Sequence, residues 1–183
     1  MYLYLYEGTA TKGEAGEKLV KRALTMYLAE RGAKACEGAC SSKAFDMPEI
    51  MRSENGKPYF SGAGMPEFSV SHSGELWVCL MADFPVGIDI QEERAIDAMK
   101  TAQRFFTDAE QVYVDIYGTQ GFFRLWTYKE AYTKLRGERM LSDMANISVI
   151  CDDAPAENIY DERFGKVFFK EIEIGDGISC AVC

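Results

Sequence analysis

Asp89 and Glu130 are the side chains around which chemistry can be built. Asp89 stands in the run PVGIDIQEE, at the end of an apolar strand pattern, with Gln91 two residues beyond it and therefore on the same side of an extended chain. Glu130 belongs to LWTYKEAYTKLRGERM, where Trp126, Glu130 and Lys134 are spaced to share one helix face. Carboxylate and amide oxygens without His or Cys beside them suit Mg²⁺, which keeps several waters and commonly bridges to substrate phosphates. A Lys one turn from the carboxylate suits the same use, because it balances phosphate charge. Each residue also has an ordinary reading: an Asp at a strand end is usually a turn or cap residue, and Glu→Lys at i, i+4 is a common surface pair.

His72, the single histidine, lies in Ser71-His72-Ser73, which reads as a turn closing a strand from Phe68. No G-x-S-x-G elbow accompanies it, so an anion contact suits it better than a hydrolase base. The next strand alternates Leu76, Val78 and Leu80 with Trp77, Cys79 and Met81, apolar on both sides, so both its faces are expected to be covered.

The remaining elements must position these groups. MYLYLYEG reads as a first strand and not as a signal peptide, having no basic n-region and no cleavage site, and a cytoplasmic location follows as the expectation. The spacing predicts a helix over 14–31 ended by Gly32, a turn at Asn55-Gly56, and a helix over 95–106. A capping box from Thr107 to Glu110 opens a short helix to Tyr117, and a third helix runs from Gln120 to Arg136, closed by Gly137. The tail alternates as strands around 147–149, 167–174 and 178–182. This order predicts an α+β fold of two similar lobes, an N-terminal α+β lobe over 1–88 and a C-terminal one over 89–183.

At 183 residues, 48% hydrophobic, the chain can bury a proper core, and its longest apolar runs fall far short of the roughly 20 residues that span a bilayer. A net charge of −9 argues against nonspecific nucleic-acid binding. Against that background, Arg124, Lys129, Lys134, Arg136 and Arg139 face only Glu130 and Glu138, and this local excess of cations predicts an anionic ligand or an acidic partner. The six cysteines read as reduced thiols, although Cys36, Cys40, Cys180 and Cys183 have a spacing that a zinc site could use.

Five segments taken together resemble a known family. GKPYF at 56–60, FSVSHSG at 68–74, PVGIDIQ at 85–91, RFFTDAE at 104–110 and LWTYKEAYTKLRGERM at 125–140 resemble, in order and spacing, the Sfp-type 4′-phosphopantetheinyl transferases. The match runs over roughly 15–150, and the final ISCAVC is similar to the family's last strand. The resemblance implies two α+β lobes related by a pseudo-twofold axis, with coenzyme A and Mg²⁺ between them. It also implies transfer of the phosphopantetheine arm to a serine of an acyl or peptidyl carrier protein, releasing adenosine 3′,5′-bisphosphate. Two lobes in one chain make the cleft without a partner, so a monomer is expected, and charge and apolar run length predict neither a nucleic-acid nor a membrane partner.

By the same resemblance, Asp89, Gln91 and Glu130 fall at the metal, and Lys57, Ser71, His72, Lys129 and Lys134 at coenzyme A. Catalysis falls to Glu110, Lys134 and Glu130, with Glu110 helping to deprotonate the carrier serine; the capping box explains Glu110 equally well. The segment from Gly137 to about Ile150 resembles the carrier-binding stretch. Two departures stand out. Gln91 occupies a position that many members fill with Glu, so the third ligand lacks charge. The N-terminal region is short, and Lys43 and Arg52 are the candidates to replace its basic residues.

Overall fold

The computed structural model describes residues 1–9, 12–35, 46–138 and 144–183. Strand Tyr2–Glu7 (β1) and helix Gly13–Ala35 (α1) lead to a small hairpin, Ile50–Arg52 (β2) and Pro58–Phe60 (β3). Strands Glu67–Ser73 (β4), Leu76–Ala82 (β5) and Ile88–Glu92 (β6) follow, then helices Ala98–Phe105 (α2) and Asp108–Arg136 (α3) and a 3₁₀ turn at Met144–Asn146. The tail holds Ile150–Cys151 (β7), Ala154–Pro155 (β8), Asn158–Asp161 (β9), Gly165–Phe168 (β10), Lys170–Glu171 (β11) and Ile178–Val182 (β12). The mixture of helices and antiparallel sheets is the α+β class read from the sequence. No helix among the described residues is long and apolar enough to cross a membrane.

Two three-stranded antiparallel sheets carry the architecture, with strand orders β1-β5-β4 and β11-β12-β6. β5 lies at the centre of the first, and its alternation does what the sequence predicts. Trp77, Cys79 and Met81 pack with Val20, Leu24 and Tyr27 of α1, while Val78 and Leu80 meet Ile88, Ile90, Cys180 and Val182 of the second sheet. Burying each such aliphatic side chain stabilises the fold by about 1.5–3 kcal/mol. On its other face the second sheet takes Ala181 into a third core, built on Phe106, Phe122, Leu125 and Tyr132 of the helical part.

The two sheets meet at β4 and β6, and there the link runs through side chains. Ser69 Oγ accepts from Ile88 N–H at 3.2 Å, Ser71 Oγ donates to Asp89 Oδ1 at 2.6 Å, and Ser73 Oγ accepts from Glu92 N–H at 2.9 Å. Residues two apart on a strand face the same side, so three serines in alternation address one neighbouring strand. This corrects the expectation of a Ser-His-Ser turn: Ser71 to Ser73 complete β4, with the serines buried and His72 exposed, and the turn falls at Gly74 and Glu75.

Gly87 then sets how closely α3 approaches. A Cβ at this position would stand 1.9 Å from the carbonyl oxygen of Ala131, so only glycine lets the helix lie against the start of β6. The capping box is present as read, with Thr107 and Glu110 bonding each other's backbone N–H, and Gly137 closes the helix in the left-handed conformation at φ 67°. The break expected between Tyr117 and Gln120 falls at Gly118, at φ 61° and ψ −144°.

Other boundaries differ from expectation. α1 runs through Gly32 to Ala35, because a helical glycine costs only about 1 kcal/mol relative to Ala and does not by itself stop a helix. α2 starts at Ala98 and not at Ala95, because Asp97 caps it by accepting from Lys100 N–H at 3.0 Å. Residues 147–149 and 172–174 lie outside the strands, although Ile172 and Ile174 pack against the inter-sheet core.

Candidate functional site

A cleft of about 480 Å³ opens where β4, β6, α3 and the first turns of α1 converge. β6 delivers Asp89 and Gln91 to it, and α3 delivers Glu130 and Lys134 one turn apart. Asp89 is only 2% exposed and fully engaged. Its Oδ1 accepts from Ser71 Oγ at 2.6 Å and from Lys134 Nζ at 2.7 Å, while Oδ2 accepts from Gln91 Nε2 at 3.0 Å.

Glu130 is almost as buried, at 3% exposure, yet has no hydrogen bond or ion pair of this kind among the described residues. Burial first, and then the negative charge of Asp89, push its carboxyl up to about 7, with Lys134 working in the opposite sense. Two buried carboxylates thus share one ammonium, and the wall carries a net negative charge that a cation would balance. The groups that could hold a hard cation are Asp89, Glu130 and the amide oxygen of Gln91, an oxygen-only set. No cluster of three or more His, Cys, Asp or Glu side chains with a metal-binding arrangement occurs among the described residues.

Cationic and apolar side chains also line the cleft, together with the carboxylate of Glu17. Arg52 of β2 and Lys12, just ahead of α1, line it together with His72, Phe68 and Val70. Arg52 was one of the two basic residues named from the sequence; the other, Lys43, lies outside the described residues. Lys12 was not anticipated. A lysine one residue before a helix gives no motif, and only the packing of α1 across the sheet brings it to the cleft.

Three expected site residues lie off this cleft. Lys57 borders an adjoining hollow of about 400 Å³ that also touches Lys134, and its Nζ donates to the Leu135 carbonyl at 2.9 Å, which fastens the β2–β3 hairpin to the end of α3. Lys129 is 1% exposed and points the other way. Its ammonium donates to the Met144 and Ile147 carbonyls, each at 2.6 Å, and pairs with Glu110 at 2.6 Å, while burial holds its pKa below the usual lysine range.

Glu110 has no exposed surface. Its carboxylate also accepts from Thr107 N–H and Val149 N–H, both at 2.8 Å. The sequence reading puts Lys129 at coenzyme A and Glu110 as a base; in the structure the two lie off the cleft and form a buried ion pair that holds the chain at 144–149. Neighbouring KE residues on a helix necessarily face different directions, which is why Lys129 turns inward while Glu130 turns to the cleft.

The basic stretch also reads differently in three dimensions. Arg124 pairs with Glu171, Lys134 with Asp89, and Arg136 with Glu138 and Asp161, so its described cations are already engaged. Arg139 lies outside the described residues, as do Cys36 and Cys40, and with them the zinc reading. Cys180 and Cys183 are free thiols whose pKa values burial pushes up to about 12.

Residues 85–183 match the family model described as the 4'-phosphopantetheinyl transferase superfamily. The chain is 30% identical over 136 residues to the 4'-phosphopantetheinyl transferase gsp of Aneurinibacillus migulanus, covering 72% of this chain and 56% of that protein. It is 29% identical over 137 residues to the 4'-phosphopantetheinyl transferase Sfp of Bacillus subtilis (strain 168), covering 71% and 60%. Over 90 residues it is 41% identical to the 4'-phosphopantetheinyl transferase psf-1 of Bacillus pumilus, covering 46% and 37%. The chain thus spans 37–60% of the length of these relatives.

Proposed function

This chain belongs to the 4'-phosphopantetheinyl transferase superfamily, and from that membership we propose that it moves the 4′-phosphopantetheine arm of coenzyme A to a serine of an acyl or peptidyl carrier protein. Adenosine 3′,5′-bisphosphate is the product released. The observation that carries the proposal is the convergence of Asp89, Glu130 and Lys134 in one cleft that Lys12, Arg52 and His72 also line. Paired carboxylates and cationic side chains around one cleft suit a diphosphate, whose charge is balanced by side-chain cations and by a hard cation that the carboxylates would hold.

In this reading Asp89 and Glu130, with the amide oxygen of Gln91, hold Mg²⁺. When bound, that ion supplies positive charge beside the diphosphate. The chain's own residues do the rest. Ser71 and Lys134 fix Asp89 from two sides, so its carboxylate is set before any ligand arrives. Lys134 Nζ lies where it can balance phosphate charge, and His72, Arg52 and Lys12 receive the phosphate groups of the nucleotide end.

The carrier serine's oxygen forms the new P–O bond as the bond to the adenylate oxygen breaks. Its proton leaves late in a loose transition state, passing to water or to the phosphate of the departing adenosine 3′,5′-bisphosphate, so charge placement matters more than a strong base. Glu110 can therefore be wholly structural without harm to the scheme. Every residue named in this scheme comes from a single chain, and we read the protein as acting as a monomer. We further read residues 1–88 and 89–183 as two lobes related by a pseudo-twofold axis, and we place the protein in the cytoplasm, where apo carrier proteins and coenzyme A meet.

The test is mass spectrometry of a panel of apo carrier proteins incubated with this protein, coenzyme A and Mg²⁺. A gain of one phosphopantetheine mass, abolished by EDTA and by Asp89→Ala, is the expected result. No gain on any carrier, while calorimetry registers coenzyme A binding, would overturn transfer and leave a coenzyme A-binding protein.

A further inference from the structure

A separate hollow, of about 380 Å³, shares no lining residue with the cleft. Its buried lining is Leu135 near the end of α3, Val167 of β10, Phe169, and Val182 of β12. Leu135, Val167 and Phe169 belong to the helical core and Val182 to the inter-sheet core, so the fold holds these side chains without help from a ligand. Met1, Phe84 and Phe168 also line the hollow and are 61%, 55% and 62% exposed. Large apolar side chains left in water around a concavity mark a binding surface, and the volume falls in the range of about 300–1,000 Å³ usual for small-molecule sites.

The charge of this hollow runs against that of the protein. The chain carries 29 acidic and 20 basic side chains, yet among the described residues no Asp or Glu lines the hollow, while Lys166 and Lys170 do. The two carboxylates next in the chain to its lining are engaged elsewhere. Asp83, before Phe84, pairs with Arg31, and Glu171, after Lys170, pairs with Arg124. Neither Lys166 nor Lys170 has an ion pair among the described residues. The Lys166 ammonium lies 5.1 Å from the centroid of the exposed Phe168 ring, which is two residues away and on the same face of β10.

An apolar lining with two unpaired ammoniums selects a ligand with an aliphatic body and one anionic head. A nucleotide or sugar phosphate would set its polar groups against Leu135, Val167 and Val182 without hydrogen-bond partners, which is costly. A cationic amphiphile would meet like charge at both lysines.

We propose that this hollow binds a fatty acid, with the chain on the apolar lining and the carboxylate at Lys166 and Lys170. The hollow is separate from the cleft, so the proposal stands or falls independently of arm transfer.

Calorimetry on the full chain, without coenzyme A or Mg²⁺, tests this with octanoate, decanoate and dodecanoate below their micelle concentrations. Affinity should rise by about fourfold for each CH₂ added. Decylamine, with the same chain as decanoate and a cationic head, should bind at least about tenfold more weakly. The double variant Lys166→Glu, Lys170→Glu and the single variant Phe84→Asp, all at exposed positions, should each weaken decanoate by at least about tenfold while urea midpoints stay near the parent's. In methyl NMR of the parent, decanoate should shift Leu135, Val167 and Val182, and added coenzyme A should not displace it. No binding of decanoate overturns the proposal. So does binding that ignores the charge of the head, binding that coenzyme A displaces, or cosedimentation with phosphatidylglycerol vesicles by a protein that leaves monomeric decanoate unbound.

Discussion

Replacing Glu110 by Gln asks whether this carboxylate holds the fold or does chemistry. Glu110 receives three donors: Thr107 N–H and Val149 N–H at 2.8 Å and Lys129 Nζ at 2.6 Å. The amide keeps one acceptor oxygen, turns an NH₂ toward one of those donors, and leaves Lys129 charged and buried with no counter-ion. Removing one member of a buried pair costs about 3–5 kcal/mol. The Met144 and Ile147 carbonyls still solvate the ammonium, which favours the low end, about 3 kcal/mol. At about 2–4 °C per kcal/mol for a domain of this size, the midpoint should fall by about 6–12 °C.

Lys129→Met should cost a similar amount. The double variant removes both charges together and should be less destabilised than the two single changes added, with a coupling of at least about 1 kcal/mol. Urea unfolding followed by tryptophan fluorescence gives these values, and transfer per folded molecule is measured well below every midpoint. A Glu110→Gln protein with an unchanged midpoint and no transfer activity would refute the reasoning and make Glu110 catalytic.

Three further outcomes are expected. Without metal, the folded Glu130 carboxyl at about 7 lies above its ordinary value of 4.5, so the folded state binds that proton more tightly than the unfolded state. The associated stability is complete below pH 4.5 and lost as pH rises through about 7, and Glu130→Gln should abolish this loss in urea titrations with EDTA present. A stability–pH slope identical to the parent's would contradict the assignment. Gly87→Ala drives a methyl into the Ala131 carbonyl and should cost about 3 kcal/mol or more while weakening coenzyme A binding, read by calorimetry; an unaltered midpoint and affinity would show that α3 does not rely on that approach. Gln91→Glu adds a third carboxylate and should lower the Mg²⁺ concentration for half-maximal transfer, and an unshifted Mg²⁺ titration would remove Gln91 from the ligand set.

How much of this could be read from the sequence depends on the range of the interactions. The β5 alternation, the Thr107–Glu110 capping box and the C-cap at Gly137 are local patterns, and each appears where the residues place it. Asp89, Gln91, Glu130 and Lys134 were also legible as a group, because strand and helix periodicity specify which side chains share a face. What the pattern could not show was direction in space. Lys129 and Glu130 are adjacent in the sequence, and only the packing of α3 between the β6 sheet and the 144–149 segment sends one to a buried pair and the other to the cleft. Lys12 was hidden for the same reason. Ser71 and Ser73 read as part of a turn because hydroxyls near glycine favour turns, while their true partners, like that of Ser69, lie about twenty residues away in the chain.

Those three serines have a consequence for how the cleft came to its width. A backbone ladder would hold β4 and β6 at the roughly 4.8 Å spacing of any sheet, whatever residues they contained. Hydroxyl links make the separation a property of side chains instead. Substituting Ser69 or Ser73 with a longer or shorter hydrogen-bonding residue resets the gap between the halves while leaving each sheet's own ladder untouched. The placement of Asp89 relative to β4, and with it the size of the ligand accommodated, is therefore open to adjustment by single codon changes at a seam that also holds the inter-sheet core of Val78, Leu80, Ile88 and Ile90.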